Sequence, residues 1–146
     1  MSGRTEVPAG ARELIRGAVL ATLRSHEVPR ARIALQFVSD EQMAEMNEGF
    51  LGHHGPTDVL TFDSRDEKSN DNVEGDIALC VDVARREAEN HGHKLEAELA
   101  LYAVHGVLHL LNYSDSDEHA AAEMHGMEDR ILESLGVGAV YHSLRQ

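Results

Sequence analysis

Residues 95–115, LEAELALYAVHGVLHLLNYSD, form a mostly apolar stretch that ends abruptly in polar residues. Its apolar residues recur at helical spacing, so that Leu99, Gly106 and Leu110 fall on one side. A stretch of this length and composition predicts a mostly apolar helix over residues 95–111. We refer to this predicted element as the central helix.

Shorter patterns on both sides of the central helix predict the other elements. Alternating or branched apolar residues indicate strands, and a 3.6-residue period with breakers at its ends indicates helices. The predicted strands are 32–39, 58–62 and 76–81, and the other predicted helices are 8–25, a short one capped by Asp40, 82–90, and about 117–135 with Ser114 as its cap. The charged run 63–75 is predicted to be a surface loop. This order predicts an α+β fold, a small mixed sheet of three to four strands packed with about five helices.

The composition predicts one soluble domain, residues 1–146. The chain is long enough to bury a core without disulfides, and its single cysteine, Cys80, excludes an internal one. Cys80 lies in an apolar run, which predicts a buried and unreactive thiol. The sequence has no apolar run of about eighteen residues, and its N-terminus lacks the apolar core of a signal peptide. We therefore expect a cytoplasmic protein without membrane contact.

The charge of the chain is strongly negative and unevenly distributed. A formal net charge of -13 argues against unaided electrostatic binding of nucleic acid, and DNA is not an expected partner. Residues 1–34, however, carry six arginines against three glutamates. Such a basic segment could guide an RNA onto one face, although a solvated helix face is the simpler explanation of these arginines.

The central helix carries two histidines four residues apart, His105 and His109. Residues at this spacing lie on one helix face with Cβ atoms about 5–6 Å apart, so both imidazoles can bind one metal ion. A histidine on an apolar helix is more often a core residue held by a hydrogen bond. Three features favour a metal site here: Gly106 beside the first histidine, the abrupt helix end after the second, and the acidic residues beyond it.

Asp115 is the predicted third ligand of this site. Asn112 readily adopts the left-handed conformation that ends helices, so the chain can turn there and bring Asp115 back toward the histidines. His119 is the alternative third ligand, and Asp117 and Glu118 are weaker alternatives. Zinc held by three protein groups keeps a fourth position open, which supports hydrolysis.

The same residues resemble the signature of the YbeY-type endoribonucleases, also described as rRNA maturation factors. That signature is a histidine, a glycine, two further residues and a histidine, then a glycine, a tyrosine and a third histidine six residues after the second. The segment HGVLHLLNY at 105–113 is similar to it, as are MNEGF at 46–50, PTDVLTF at 56–62 and GDIAL at 75–79. The resemblance covers most of residues 33–135.

The resemblance implies a zinc-dependent endoribonuclease that is specific for single strands and binds one zinc ion per chain. It further implies ribosomal RNA and the small ribosomal subunit as partners, with roles in 3′ end maturation of 16S rRNA and in ribosome quality control. The metal site would lie on the central helix and the turn that follows it.

Three positions depart from the family pattern. Asn112 stands in place of the turn glycine, Asp115 in place of the third histidine, and Leu51 in place of an arginine. Zinc accepts a carboxylate oxygen, so Asp115 completes a three-ligand set with His105 and His109, and the three are expected to act in catalysis through the metal. If the family arginine binds phosphate, this protein must use another cation or bind RNA less tightly.

Four further residues are candidates for substrate binding. Thr57 and Asp58 could position water or phosphate at a cleft beside the second strand, although such a pair is as often a strand cap. Arg85 and Arg86 could meet phosphate, although a solvated face is the simpler interpretation.

Two other functions compete with RNA cleavage. A metalloprotease is disfavoured because zinc proteases place a glutamate where this sequence has Gly106. A ribosome-associated factor with a purely structural metal is disfavoured because structural zinc sites usually have four protein ligands, and this sequence offers three clear ones.

Overall fold

A computed structural model describes residues 6–51, 58–65, 71–114 and 116–137. The elements in these ranges are α1 (Ala11–Ser25), β1 (Arg30–Val38), α2 (Asp40–Leu51), β2 (Val59–Asp63), β3 (Asn72–Cys80), α3 (Val81–His91), α4 (Leu95–Leu110) and α5 (Glu118–Ser134). Helix α1 begins at Ala11 rather than at Pro8, because the left-handed residue Gly10 precedes it. Five helices and a three-stranded sheet within the described residues confirm the predicted α+β class.

The sheet is mixed, as predicted, with the strand order β1-β3-β2. The central strand β3 runs parallel to β1 and antiparallel to β2. Ile77 of β3 lies opposite Leu35 of β1 and Thr61 of β2, and its side chain is fully buried in the main apolar core. This face of the sheet supports α4, which contacts both β2 and β3.

Helix α4 is the buried centre of the described structure. It packs against α1, α3 and α5 as well as the sheet. Residues 98–110 are all buried apart from His105 and His109, which are half-buried. Within this buried segment, the two histidines are therefore the side chains that solvent can reach.

Gly106 allows α4 to lie directly on the sheet. A Cβ atom at this position would be 2.9 Å from Cγ2 of Ile77 and 3.1 Å from Cγ2 of Thr61. Side-chain carbons do not approach one another this closely without repulsion, so a larger residue would push the helix away from β2 and β3. Gly106 therefore lies on the side of α4 that faces the sheet.

Strand β3 is longer than the sequence suggests. It begins at Asn72 rather than at Asp76, and Val73 and Gly75 are buried and paired in register with β1. These two residues alternate with the more exposed Glu74 and Asp76, which is a strand pattern. The surrounding charged residues conceal the pattern. The prediction of a loop was therefore wrong for residues 72–75, which belong to β3.

Two helices are capped by residues other than the predicted ones. At α2, the N–H group of Ser39 donates to Oε1 of Gln42 (2.9 Å) and the N–H group of Gln42 donates to Oγ of Ser39 (3.3 Å). Ser39 is therefore the cap, and Asp40 belongs to the helix. At α5, Oδ1 of Asp117 accepts a hydrogen bond of 2.7 Å from the N–H group three residues later, so Asp117 is the cap instead of Ser114.

Cys80 ends β3 and is fully buried, as predicted. Burial raises the pKa of its thiol to about 11, so the thiol stays protonated and unreactive at neutral pH. Across the residues that the structure describes, none of the helices has the length and apolar character needed to cross a membrane.

Candidate metal centre

The two histidines of α4 face each other across one helical turn. Their Nε2 atoms are 3.0 Å apart, and the rings are nearly perpendicular with centroids separated by 4.5 Å. This proximity follows from the four-residue spacing, which places both side chains on one helix face. The structure thus brings the predicted pair, His105 and His109, together on the accessible strip of α4.

A buried glutamate of α5 lies behind the pair. Glu128 has no solvent exposure. Its Oε2 atom is 2.6 Å from Nδ1 of His105, and its Oε1 atom is 3.0 Å from Nδ1 of His125. An ionised carboxylate can only accept hydrogen bonds, so Nδ1 of His105 carries the proton. Nε2 of His105 then has its lone pair on the side of His109.

Sequence reasoning missed both Glu128 and His125. Met124, Glu128 and Ile131 share the buried face of α5, so the signal was a glutamate within an apolar stripe. A buried carboxylate requires hydrogen-bond donors, which indicates a polar partner nearby. His125 is one of these donors, and its side chain is 20% exposed.

The donor atoms fit a metal ion such as zinc. Two imidazole nitrogens bound to one zinc ion at tetrahedral angles would be roughly 3.3 Å apart, close to the observed separation. A carboxylate on the far nitrogen of a metal-binding histidine is the usual outer partner. Among the described residues, no set of three or more His, Cys, Asp or Glu side chains is arranged to hold a metal. The pair would therefore need a ligand from beyond them.

The third ligand remains a prediction. Asp115 lies outside the described residues. His119, the alternative, is exposed in the first turn of α5 and is not grouped with the histidine pair. Asp117 uses its carboxylate as the α5 cap, and Glu118 is exposed.

The chain turns at Asn112, as predicted. Asn112 has a φ of 74°, in the left-handed region. The N–H group of Tyr113 donates to the carbonyl of Leu108 (2.9 Å), and the N–H group of Asn112 donates to the carbonyl of His109 (3.0 Å). These two bonds form a Schellman motif, in which asparagine occupies the position that glycine usually takes. The turn closes the C-terminus of α4.

Tyr113 anchors this turn to α1. Its hydroxyl group lies 2.8 Å from Nε2 of His26, and Nδ1 of His26 lies 2.7 Å from the carbonyl of Thr22. A carbonyl only accepts, so Nδ1 of His26 donates to it and the tyrosine hydroxyl donates to Nε2. Tyr113, which matches the tyrosine of the family signature, therefore contacts the C-terminal end of α1.

Arg65 fastens the other side of the α4 terminus. Its guanidinium group donates to Oδ2 of Asp63 (2.6 Å), to the carbonyl of Leu110 (2.6 Å) and to that of Asn72 (3.1 Å). The Arg65 side chain is only 4% exposed. Arg65 thus joins Asp63, the last residue of β2, to Leu110, the residue after His109. Neither Asp63 nor the nearly buried side chain of Arg65 fits the predicted surface loop.

Asp58 lies close enough to His105 for their charges to interact. Asp58 is exposed, yet the protein packed around its carboxyl raises its pKa, and protonation of His105 would partly offset this effect. Its carbonyl accepts a hydrogen bond of 2.9 Å from the N–H group of Cys80. Thr57 lies outside the described residues, and Leu51 is the last residue of α2. Substrate binding by Thr57 and Asp58 stays a prediction.

Both candidate arginines of α3 have protein partners. Arg86 donates to the two carboxylate oxygens of Asp40 at 2.6 and 3.0 Å. Arg85 donates to the carbonyl of Glu6 at 2.8 Å and lies 3.4 Å from Asp82. Phosphate binding by either residue would require part of these contacts to be exchanged, and it stays a prediction.

Comparison with known proteins identifies the relatives of the chain. The family described as Endoribonuclease YbeY matches residues 2–136. The endoribonuclease YbeY of a Nocardioides species is 39% identical over 121 residues, which cover 78% of this chain and 80% of that protein. The corresponding protein of Thermobifida fusca is 33% identical over 141 residues, covering 90% of both chains.

A solved structure shows the same fold. The solution structure of a Thermotoga maritima protein matches with a TM-score of 0.60 and 24% identity, over 88% of this chain and 87% of that one. The family match spans residues 2–136, a range that includes the histidine pair and the turn after it. The chain therefore belongs to the YbeY family of endoribonucleases.

Proposed function

We propose that the protein is a zinc-dependent endoribonuclease that cleaves single-stranded segments of ribosomal RNA. Within this proposal it acts in the cytoplasm on the small ribosomal subunit, in 3′ end maturation of 16S rRNA and in ribosome quality control. Membership of the YbeY family supports RNA cleavage as the reaction. The metal, the RNA and the ribosomal partner are the parts that need testing.

The observation that carries the proposal is the histidine pair. His105 and His109 are the accessible residues of an otherwise buried helical segment, and their Nε2 atoms are 3.0 Å apart. They would hold the zinc ion together with Asp115. When bound, zinc supplies Lewis acidity toward a phosphoryl oxygen and lowers the pKa of bound water to about 7.

The remaining candidates would bind the substrate. Asp58 lies within electrostatic reach of His105, and within this proposal its carboxyl helps to position water beside an RNA held at the histidines. Thr57 precedes Asp58 in sequence. Arg85 and Arg86 carry the positive charge that a phosphate requires, and the chain has Leu51 where the family pattern has arginine.

The position of Gly106 argues against a metalloprotease. A zinc protease uses the glutamate after its first histidine as a general base. Here the corresponding side chain would point at Ile77 and Thr61 of the sheet. A phosphodiester releases an alkoxide, which departs more easily than the amine of a peptide and depends less on such a proton shuttle.

Metal and cleavage assays on three variants test the proposal. His109→Ala leaves the contacts of Glu128 intact and should lose bound zinc, with cleavage of ribosomal RNA falling on the order of 100-fold or more. Asp115→Ala should likewise lose bound zinc and RNA cleavage, whereas His119→Ala should retain both. His91→Ala, an exposed histidine of α3, is the matched control.

Each alternative gives a different result in these assays. Zinc-dependent cleavage of casein by the metal-loaded protein would support a protease. Tight zinc binding without cleavage of RNA or casein would support a structural metal. Undiminished RNA cleavage by His109→Ala, purified free of host nucleases, would reject the proposed site.

A further inference from the structure

Glu128 bridges two histidines from different helices. It belongs to α5, yet one of its oxygens is 2.6 Å from His105 on α4 and the other is 3.0 Å from His125 on its own helix. The carboxylate is fully buried, and the side chains of the two histidines are 22% and 20% exposed. The three residues connect the candidate metal centre to the interior of the domain.

This arrangement constrains the proton positions of the metal-free protein. Burying a carboxylate is costly unless each oxygen finds a donor. Two Nδ1–H groups provide those donors, so both imidazoles are held with the proton on Nδ1 when they are neutral. A histidine with its proton on Nδ1 offers a lone pair on Nε2, which for His105 is the atom next to Nε2 of His109.

We propose that Glu128 is a positioning residue that fixes the tautomer and ring orientation of His105 before any metal binds, with His125 satisfying its second oxygen. The proposal rests on the metal-dependent function proposed above. Outer carboxylates of this kind typically contribute 10- to 100-fold to metal affinity. Glu128 would thus act through His105 without touching metal or RNA.

The substitution Glu128→Gln separates this role from simple packing. Glutamine has nearly the same shape, but its amide has only one acceptor oxygen and can serve only one Nδ1–H group. The amide nitrogen must donate to the other imidazole, which then carries its proton on the opposite nitrogen. Adding His125→Ala to Glu128→Gln removes this competition and should restore the original tautomer of His105.

Nitrogen NMR of the histidines in the metal-free full chain tests the tautomer directly. We expect neutral His105 of the wild-type protein to carry its proton on Nδ1. Glu128→Gln should show a mixture of tautomers across His105 and His125, and the double variant should return His105 to Nδ1–H. A wild-type His105 protonated on Nε2 would overturn the proposal, and this measurement needs no variant to fold.

Zinc affinity is the second measurement. Competition with a chelator should give an affinity 10- to 100-fold lower for Glu128→Gln, with partial recovery in the double variant. The visible spectrum of the cobalt-substituted protein should shift in Glu128→Gln and not in Glu133→Gln, an exposed control on the same helix. An affinity within twofold of wild type, with the fold intact by circular dichroism, would overturn the proposal.

These measurements separate the two proposals. Absence of zinc binding or RNA cleavage in the wild-type protein would defeat the proposed function and leave the Nδ1–H tautomer of His105 unaffected. An unchanged zinc affinity in Glu128→Gln would defeat the role of Glu128 and leave the proposed function standing.

Discussion

Gly106 lies between the two site histidines in sequence, but its Cα faces the sheet, about a quarter of a helical turn round α4 from the histidines. His105 and His109 occupy the accessible strip, whereas Gly106 meets Ile77 and Thr61 of the sheet. One residue of the helix therefore governs how closely α4 approaches the sheet, and that approach in turn positions the histidines. The geometry of the site therefore depends on the absence of a side chain at Gly106.

Gly106→Ala should destabilise the protein. Overpacking a core typically costs about 1–3 kcal/mol, and the better helix propensity of alanine offsets up to about 1 kcal/mol of it. We expect a net loss of about 1–2 kcal/mol in the free energy of unfolding in urea. Gly126→Ala on α5 is the control, since nothing lies within 4 Å of its added Cβ. It should be neutral or stabilising, and a Gly106→Ala protein as stable as wild type would contradict the packing argument.

At the scale of elements, the end of α4 is held from two sides. The Schellman motif at Asn112 closes the helix, and Tyr113 ties the turn to His26, the residue that caps the end of α1. On the other side, Arg65 binds the Leu110 carbonyl from the segment after β2. The last turn of α4, which contains His109, is thereby fastened to both α1 and the sheet.

Arg65→Ala should loosen this attachment. The substitution leaves the carboxylate of Asp63, whose side chain is 16% exposed, without its bidentate partner and the Leu110 carbonyl without its donor. Removal of one partner from a nearly buried ion pair costs about 3–5 kcal/mol, so a loss of about 3 kcal/mol is expected in urea unfolding. Arg130→Ala, an exposed arginine of α5, should change stability by less than about 0.5 kcal/mol. Equal effects of the two substitutions would refute the anchoring role.

The contact between Arg86 and Asp40 joins α3 to α2 and should be sensitive to pH. The hydrogen bonds from Arg86 lower the pKa of Asp40 in the folded protein. The stabilisation is therefore present above the unfolded pKa of about 3.9 and is lost as the pH falls through the lower folded value.

Arg86→Ala should cost about 0.5–1 kcal/mol at pH 7, because the pair is partly exposed and screened by solvent. The difference in unfolding free energy between wild type and variant should shrink as the pH is lowered below 4. Chemical denaturation across pH 2.5–7 measures it, and a pH-independent difference would argue against the ion pair.

At the scale of the whole molecule, the charge is unevenly distributed along the chain. The net charge is -13, but arginines concentrate in the N-terminal segment. Arg12 and Arg16 line a cavity of about 420 Å³ between α1 and β1, where the guanidinium of Arg12 lies 4.8 Å from the ring centre of Phe37. The cation–π contact explains part of this positive charge as local packing rather than as RNA attraction.

Zinc should stabilise the whole domain if the proposed centre forms. A ligand that binds only the folded state adds about 2.7 kcal/mol at a free concentration of 100 Kd, so thermal unfolding should shift upward by several degrees. His109→Ala should lose the shift while His119→Ala keeps it. An equal shift in His109→Ala would place the zinc elsewhere on the chain.

Local patterns were sufficient for much of this protein. The α+β class, the central helix, the pairing of His105 with His109 and the turn at Asn112 follow from the sequence, because helical periodicity and left-handed propensity act over a few neighbouring residues. The resemblance to the family follows from the same segments. The role of Asp115 as the third ligand stays a prediction from the sequence, because Asp115 lies outside the described residues.

Tertiary structure alone decided what surrounds the pair. Glu128 meets His105 from 23 residues away, Arg65 reaches Leu110 from 45 residues away, and Gly106 proved to face the sheet. Such contacts depend on which surfaces pack together, and neither periodicity nor propensity encodes that choice. The sequence by itself therefore determined which residues form the pair, and the packing of α5, β2 and β3 around α4 decided how that pair is held.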